Sequence, residues 1–195
     1  MRRRNYLGTI GAGTVYPLTS GCLSAANASY SISDGCSSDT CPDAITHDAE
    51  IVDGGYADEE TPLTISTRIT NSTSESITYA DRRLVHMDCV RSTDDQFALY
   101  AVDRLDGGDT ENNEFTGDCW RATVGCISDL LVRSRELAPE ESAERALYVL
   151  VPEEQPCPED SPGQIRFRTA GTVRRTDDED GTETSFEWTV TLEQS

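Results

Sequence analysis

Two histidines and seven cysteines are the side chains of this chain best suited to bind a metal ion. A zinc site could combine Cys36, Cys41, His47 and Cys89. Structural zinc sites usually contain cysteines in closely spaced pairs, which this set lacks. An oxidising compartment would also favour disulfides over thiolate ligands. We therefore do not expect zinc.

A copper site needs two histidines, one cysteine and a weak axial methionine. His47, His86, Met87 and Cys89 offer these side chains. Small blue copper proteins, however, gather the cysteine, the second histidine and the methionine near the C-terminus, and no histidine or methionine follows Met87. We predict no metal site and no cofactor.

Hydrolytic chemistry needs a nucleophile with a base beside it, or two carboxylates placed across a substrate. No Gly-x-Ser-x-Gly sequence is present, and the chain contains no lysine to pair with a serine. The adjacent pairs Asp94-Asp95 and Glu140-Glu141 are expected by chance among 36 acidic residues. We therefore predict that the protein is not an enzyme.

The cysteines are more readily explained by disulfide bonds, which are typical of exported proteins. If Cys22 is set aside for the reason given below, six cysteines remain, and six allow fifteen pairings. Proximity along the chain favours Cys36–Cys41 and Cys119–Cys126, which leaves Cys89–Cys157.

The N-terminus has the features of an export signal. Arg2, Arg3 and Arg4 precede a mildly apolar stretch that ends at Ser20-Gly21-Cys22. This stretch is too short to span a bilayer, and its order of charge, apolar region and small residues is that of a signal peptide. The paired arginines resemble a twin-arginine signal, and the Gly-Cys end resembles a lipobox, which implies that Cys22 carries lipid. The alternatives are an ordinary cleaved signal and an uncleaved N-terminal tail, in either of which Cys22 has no special role.

These features predict a signal peptide at 1–21, a polar tether at 22–48 and one domain at 49–195. They place the protein on the outer face of the cell membrane, with membrane contact through the N-terminal lipid. Asn27 and Asn71 each begin an Asn-x-Ser/Thr triplet and are candidate glycosylation sites.

The net charge is −20, from 36 acidic residues and 16 basic residues that are all arginine. Such a chain has no basic stripe with which to bind nucleic acid. Molar salt would screen the repulsion between its carboxylates. A lysine-free, acid-rich composition resembles that of proteins from extremely halophilic archaea.

Apolar residues alternate with polar residues along most of the chain after residue 49. Leu63, Ile65, Thr67 and Ile69 share one face of a predicted strand, and similar patterns continue to Leu192. Acidic turn residues near Asp177 to Gly181 predict a closing hairpin, and 140–145 could form at most one helical turn. The sequence therefore predicts an all-β protein, a single antiparallel sandwich of seven to nine strands.

Three sequence patterns resemble an immunoglobulin-like or fibronectin-like domain: Asn71-Ser72-Thr73 between two strands, Leu-x-Pro-x-x-Ser at 137–142 and Pro-Gly-x-Ile-x-Phe at 162–167. Glu141 stands where such domains usually have glycine. Related domains recur in surface lipoproteins of halophilic archaea and in a proteinase-inhibitor-like family of bacilli. The export signal, the cysteine count and the absence of a catalytic motif predict an interaction, envelope or ligand-capture module, with other surface proteins as candidate partners.

Other functions remain open: an exported hydrolase or redox protein, or a proteinase-inhibitor-like module. Trp120 lies beside Cys119 in a polar segment, and it could either anchor a partner or pack on a disulfide in the core. The alternation around Trp188 predicts a core position for that residue.

Overall fold

The computed structural model describes residues 29–36, 42–56, 58–81, 89–105, 112–126, 133–176 and 183–195. They form twelve strands and one short helix. In chain order these are β1 (Tyr30–Cys36), β2 (Ile45–Asp53), β3 (Thr64–Asn71), β4 (Ile77–Asp81), β5 (Cys89–Arg91), β6 (Ala98–Ala101), α1 (Val102–Leu105), β7 (Asn113–Phe115), β8 (Trp120–Ala122), β9 (Arg133–Leu137), β10 (Ser142–Leu150), β11 (Gln164–Arg175) and β12 (Thr184–Gln194).

Ten of these strands form two antiparallel sheets that pack face to face. Sheet A has the order β1-β12-β11-β4-β9, and sheet B has the order β2-β3-β10-β6-β5. The series β2-β3-β10-β6 and β12-β11-β4 reproduce the A-B-E-D and G-F-C orders of an immunoglobulin-type sandwich. The predicted immunoglobulin-like sandwich is confirmed, with more strands than the seven to nine expected.

Period-two alternation puts one face of each sheet into the core. Along β12 the side chains of Phe186, Trp188, Val190 and Leu192 are at most 4% exposed, whereas Glu187 and Glu193 are not buried. Ile65, Ile69 and Leu147 of sheet B meet them from the opposite side. Trp188 is a core residue, as its alternation predicts.

A small third layer covers part of the outer face of sheet B. The β7–β8 hairpin, which we call the flap, packs on a second apolar cluster that includes Tyr100, Leu105 and Leu150. Ala122 N donates to Val151 O, and Val151 N donates to Trp120 O, so β8 continues the hydrogen bonding at the end of β10. This layer has no counterpart in the sequence-based prediction.

Two disulfides fasten the flap to the sandwich. Cys89 of β5 is bonded to Cys126, and Cys119 is bonded to Cys157 in the β10–β11 loop. The predicted pairs Cys119–Cys126 and Cys89–Cys157 are therefore wrong. Proximity along the chain misleads here because the flap folds back onto sheet B, and each of its cysteines meets a residue about 37 positions away.

Cys36 is also disulfide-bonded. Its predicted partner, Cys41, lies outside the described residues, so the Cys36–Cys41 pair stays a prediction.

The domain begins earlier than predicted. Tyr30–Cys36 pairs in register with Trp188–Gln194 as an edge strand of sheet A, and β2 begins at Ile45. Most of the described part of the predicted 22–48 tether is therefore built into the sheets. Residues 140–145, which could have formed at most one helical turn, contain none, because Ser142 onward forms β10; α1 is the one helix among the described residues.

Asn71 holds the turn between β3 and β4 together. It is 0% exposed, and its Nδ2 donates to the carbonyl oxygens of Glu75, Leu137 and Ala138 at 2.8, 3.1 and 2.9 Å. Its Oδ1 accepts from Thr73 N and Oγ1. The predicted glycosylation at Asn71 is contradicted in the folded chain, because the acceptor nitrogen is buried and fully engaged.

Candidate binding site

A cavity of about 260 Å³ opens where the edge strands β1 and β2 meet the start of β12. Its described lining residues combine apolar walls with two ionisable side chains: Asp34, Gly35, Cys36, Pro42, Ile45, His47, Phe186 and Trp188. Ligand pockets are usually apolar concavities with a few polar groups that orient the ligand. At this volume, the cavity suits a small molecule or one side chain of a partner.

Asp34 supplies the carboxylate of this cavity from an edge strand. It pairs in register with Val190, so its side chain shares the core-facing side of sheet A with Trp188. Trp188 Nε1 donates to Asp34 Oδ2 at 3.4 Å. Partial burial raises the pKa of the Asp34 carboxyl, the Trp188 hydrogen bond lowers it, and the charge of Asp48 raises it, leaving the pKa above its ordinary value.

Asp34 has a structural role as well. An inward-pointing charge on an edge strand discourages the pairing of further strands with that edge. The Asp34 carboxylate therefore lines the cavity and also discourages further strands from pairing with β1.

His47 forms the opposite wall. On β2, residues Ile45, His47 and Ala49 face sheet A, and the His47 ring lies edge-on to Trp188 and Phe186. The ring centroids are 4.5 Å apart for Trp188 and 5.2 Å for Phe186. Phe186 and Trp188 are themselves almost fully buried, so they hold His47 in place and floor the cavity.

The described lining contains no hydroxyl nucleophile, and its one sulfur, on Cys36, is in a disulfide. An imidazole and a carboxylate without a nucleophile can hold a ligand through hydrogen bonds and charge. These two groups can therefore orient a bound ligand.

Those residues considered for zinc and copper that the structure describes do not assemble into a metal site. Cys36 and Cys89 are in disulfides, and His47 packs against aromatic rings. His86, Met87 and Cys41 lie outside the described residues. Within the described part of the chain, no group of three or more His, Cys, Asp or Glu side chains could hold a metal ion.

Both adjacent carboxylate pairs lie in turns. Asp94 accepts from Ser92 Oγ and Gln96 N, and Asp95 adopts a φ of 61°. Glu140 has a φ of 62°, and Glu141 accepts from Ala138 N at 2.9 Å. These contacts account for the pairs as turn residues.

Of the two alternatives considered for Trp120, packing beside a disulfide is the one that its contacts support, although it packs in the second apolar cluster rather than between the two sheets. It is partly buried against the second apolar cluster and lies next to the Cys119–Cys157 disulfide. Its Nε1 donates to Asp58 O at 2.6 Å, which ties the flap to the loop before β3. Trp120 therefore anchors the flap within the chain.

The export residues Arg2, Arg3, Arg4 and Cys22 and the glycosylation candidate Asn27 lie outside the described residues. Asp34, in contrast, was missed by the sequence analysis. The signal was present in Tyr30, Ile32 and Asp34, which alternate with small polar residues as an edge strand would.

No protein-family model matches the chain, and neither a curated protein nor a solved structure matches it. Among the described residues, no helix has the length and apolar character needed to cross a membrane.

Proposed function

We propose that this protein is an exported, lipid-anchored and non-enzymatic module of the outer surface of a halophile, which captures a small ligand or a partner. The observation that carries the binding role is the preformed cavity, which is lined by Asp34 and His47 together with the aromatic rings of Phe186 and Trp188.

Two further features support export. Disulfides persist in oxidising compartments, and five of the described cysteines are disulfide-bonded. The N-terminal arginines and the Gly-Cys end add the expected signal. Stable membrane attachment would need a two-chain modification of Cys22, because a single acyl chain gives only reversible binding.

The anchor is tested by expressing the full chain and a Cys22→Ser variant in the same host. The unchanged protein should fractionate with membranes and show a lipid adduct by intact mass, and the variant should be released. Replacing Arg2, Arg3 and Arg4 with lysine should block export through a twin-arginine route. Retention of the Cys22→Ser protein on membranes would contradict the anchor.

The cavity is tested separately on the soluble Cys22→Ser protein by nuclear magnetic resonance screening of small ligands. Shifts should concentrate on His47, Ile45 and Trp188, and Asp34→Asn should weaken them. Glu50→Gln, which removes the same charge from the outer face of β2, is the matched control. Shifts centred elsewhere, or equal effects of both variants, would argue against this site.

A further inference from the structure

The positions of the two ends of the described domain bear on how an anchored chain would sit on its membrane. The described domain begins and ends at one place: Ser195 N donates to Ser29 O at 2.9 Å, and the two hydroxyl oxygens lie 2.6 Å apart. From Cys22 to Ser29 the chain advances seven residues, which span at most about 25 Å. A lipid on Cys22 would therefore hold this end of the sandwich close to the bilayer.

We define the near end of the sandwich by Ser29, Ser195 and the described residues of the loops at 54–63 (all except residue 57), 92–97 and 151–163. Tyr30 Oη donates to Pro162 O at 2.7 Å, and Gln194 N donates to Gly163 O at 3.0 Å. The β10–β11 loop therefore lies beside the termini.

The flap belongs to the same end. It is bonded to the β10–β11 loop by the Cys119–Cys157 disulfide, and Val151 N donates to Trp120 O. Trp120 also donates to Asp58 O in the 54–63 loop. These contacts place the Trp120 indole at the near end.

The cavity lies toward the far end. In β1 and β12 the register places Cys36 opposite Trp188, whereas Tyr30 lies opposite Gln194. Trp188 precedes Ser195 by seven residues, or roughly 23 Å along an extended strand. The cavity mouth is therefore separated from the near end by about two thirds of the length of β12.

We infer that the near end, including the flap, is the surface that faces the lipid headgroups, and that the cavity beside Asp34 and His47 is presented away from the membrane. This inference rests on the proposed lipid anchor. It replaces the 27-residue tether of the sequence-based prediction with a short link that restricts the domain's distance from the membrane.

The test uses the two tryptophans as reporters. Lipid-modified full-length protein is reconstituted into phosphatidylcholine vesicles that contain a dansyl-labelled headgroup lipid. Energy transfer to dansyl is compared for Trp188→Phe, which retains Trp120, and Trp120→Phe, which retains Trp188. The experiment is done in molar KCl, where the Debye length is about 3 Å, so that acidic near-end loops are not repelled.

Transfer from Trp120 should be at least about twofold larger than transfer from Trp188, because strand rise separates the two indoles by roughly 15 Å or more along the sandwich. Equal transfer would show a domain lying flat, and larger transfer from Trp188 would show the reverse orientation. Either result overturns the inference.

An insertion variant leaves every residue of the described domain unchanged. Twenty Gly/Ser residues inserted between Leu23 and Ser24 should reduce the transfer from both indoles by lengthening the link. If the insertion leaves transfer unchanged, the short link does not position the domain. If circular dichroism shows that either tryptophan variant is unfolded, the inference is tested by the effect of the insertion on energy transfer alone. Failure of the lipid anchor is recognised separately, because the unmodified chain would not remain on the vesicles at all.

Discussion

Replacing Asn71 with aspartate should cost more stability than any other isosteric change of a polar side chain in the described turns. The amide places two N–H groups among three carbonyl oxygens, those of Glu75, Leu137 and Ala138. An aspartate of the same shape has no donor there and sets a carboxylate oxygen against the same carbonyls. Removing one partner from a buried charged or polar cluster of this kind costs about 3–5 kcal/mol in total, which includes abandoned acceptors at about 1–3 kcal/mol each.

We therefore expect Asn71→Asp to lower the free energy of unfolding by roughly 3–5 kcal/mol at neutral pH, a large share of the roughly 5–15 kcal/mol typical of a domain. The measurement is denaturant unfolding followed by tryptophan fluorescence in molar KCl. Asn113→Asp, at a partly exposed position of β7, is the matched control and should cost less than about 1 kcal/mol.

The penalty should depend on pH in a defined direction. Burial and the facing carbonyls raise the folded-state pKa of the new carboxyl above its unfolded value near 3.9. The penalty is therefore complete above the folded pKa and fades as the pH falls through it, since the protonated form regains one donor. A loss below about 1 kcal/mol, or a loss that does not change with pH, would refute the account of Asn71 as a buried donor.

Three further outcomes are expected from unfolding measurements. Removing the Cys119–Cys157 bond by double alanine substitution should cost roughly 4 kcal/mol, because it frees a loop of 38 residues, and a loss near zero would mean that the flap holds without it. Gly54→Ala should destabilise, since φ is 72° and a Cβ would lie 2.2 Å from Pro62 O, whereas Gly35→Ala, with no atom within 4 Å, is the control that should be near neutral. The unfolding free energy of the unchanged chain should rise between dilute and molar KCl, because salt screens repulsion within a net charge of −20; a fall would contradict the halophilic proposal.

The sequence was most informative where one face of a strand is buried. Ile65 and Ile69 in β3, and Phe186 to Leu192 in β12, alternate strictly and predict both their strands and their core positions. Hydrophobic periodicity is a strong signal because one face of such a strand packs in the apolar core and the other face lies outside it.

It was least informative where a strand is polar on both faces or where a contact is long-range. Most of β1 is exposed, so Tyr30–Cys36 resembles a linker by composition and becomes a strand only by pairing with β12. The flap cysteines were paired by their proximity along the chain. The true partner of Cys126 lies 37 residues away, and no pattern in the neighbouring residues indicates such a distant partner. Asp34 was missed because the cavity that it lines forms only where the two sheets meet, and the sequence of β1 alone does not show that contact.

The adjacency of β1 and β12 also bears on when this chain can fold. The edge of sheet A pairs Tyr30 with Gln194, so it cannot form until the residues of β12 have left the ribosome. Such distant pairing also carries a high entropic cost of closure and slows folding. Sheet A is consequently completed only after nearly all of the described domain has been synthesised.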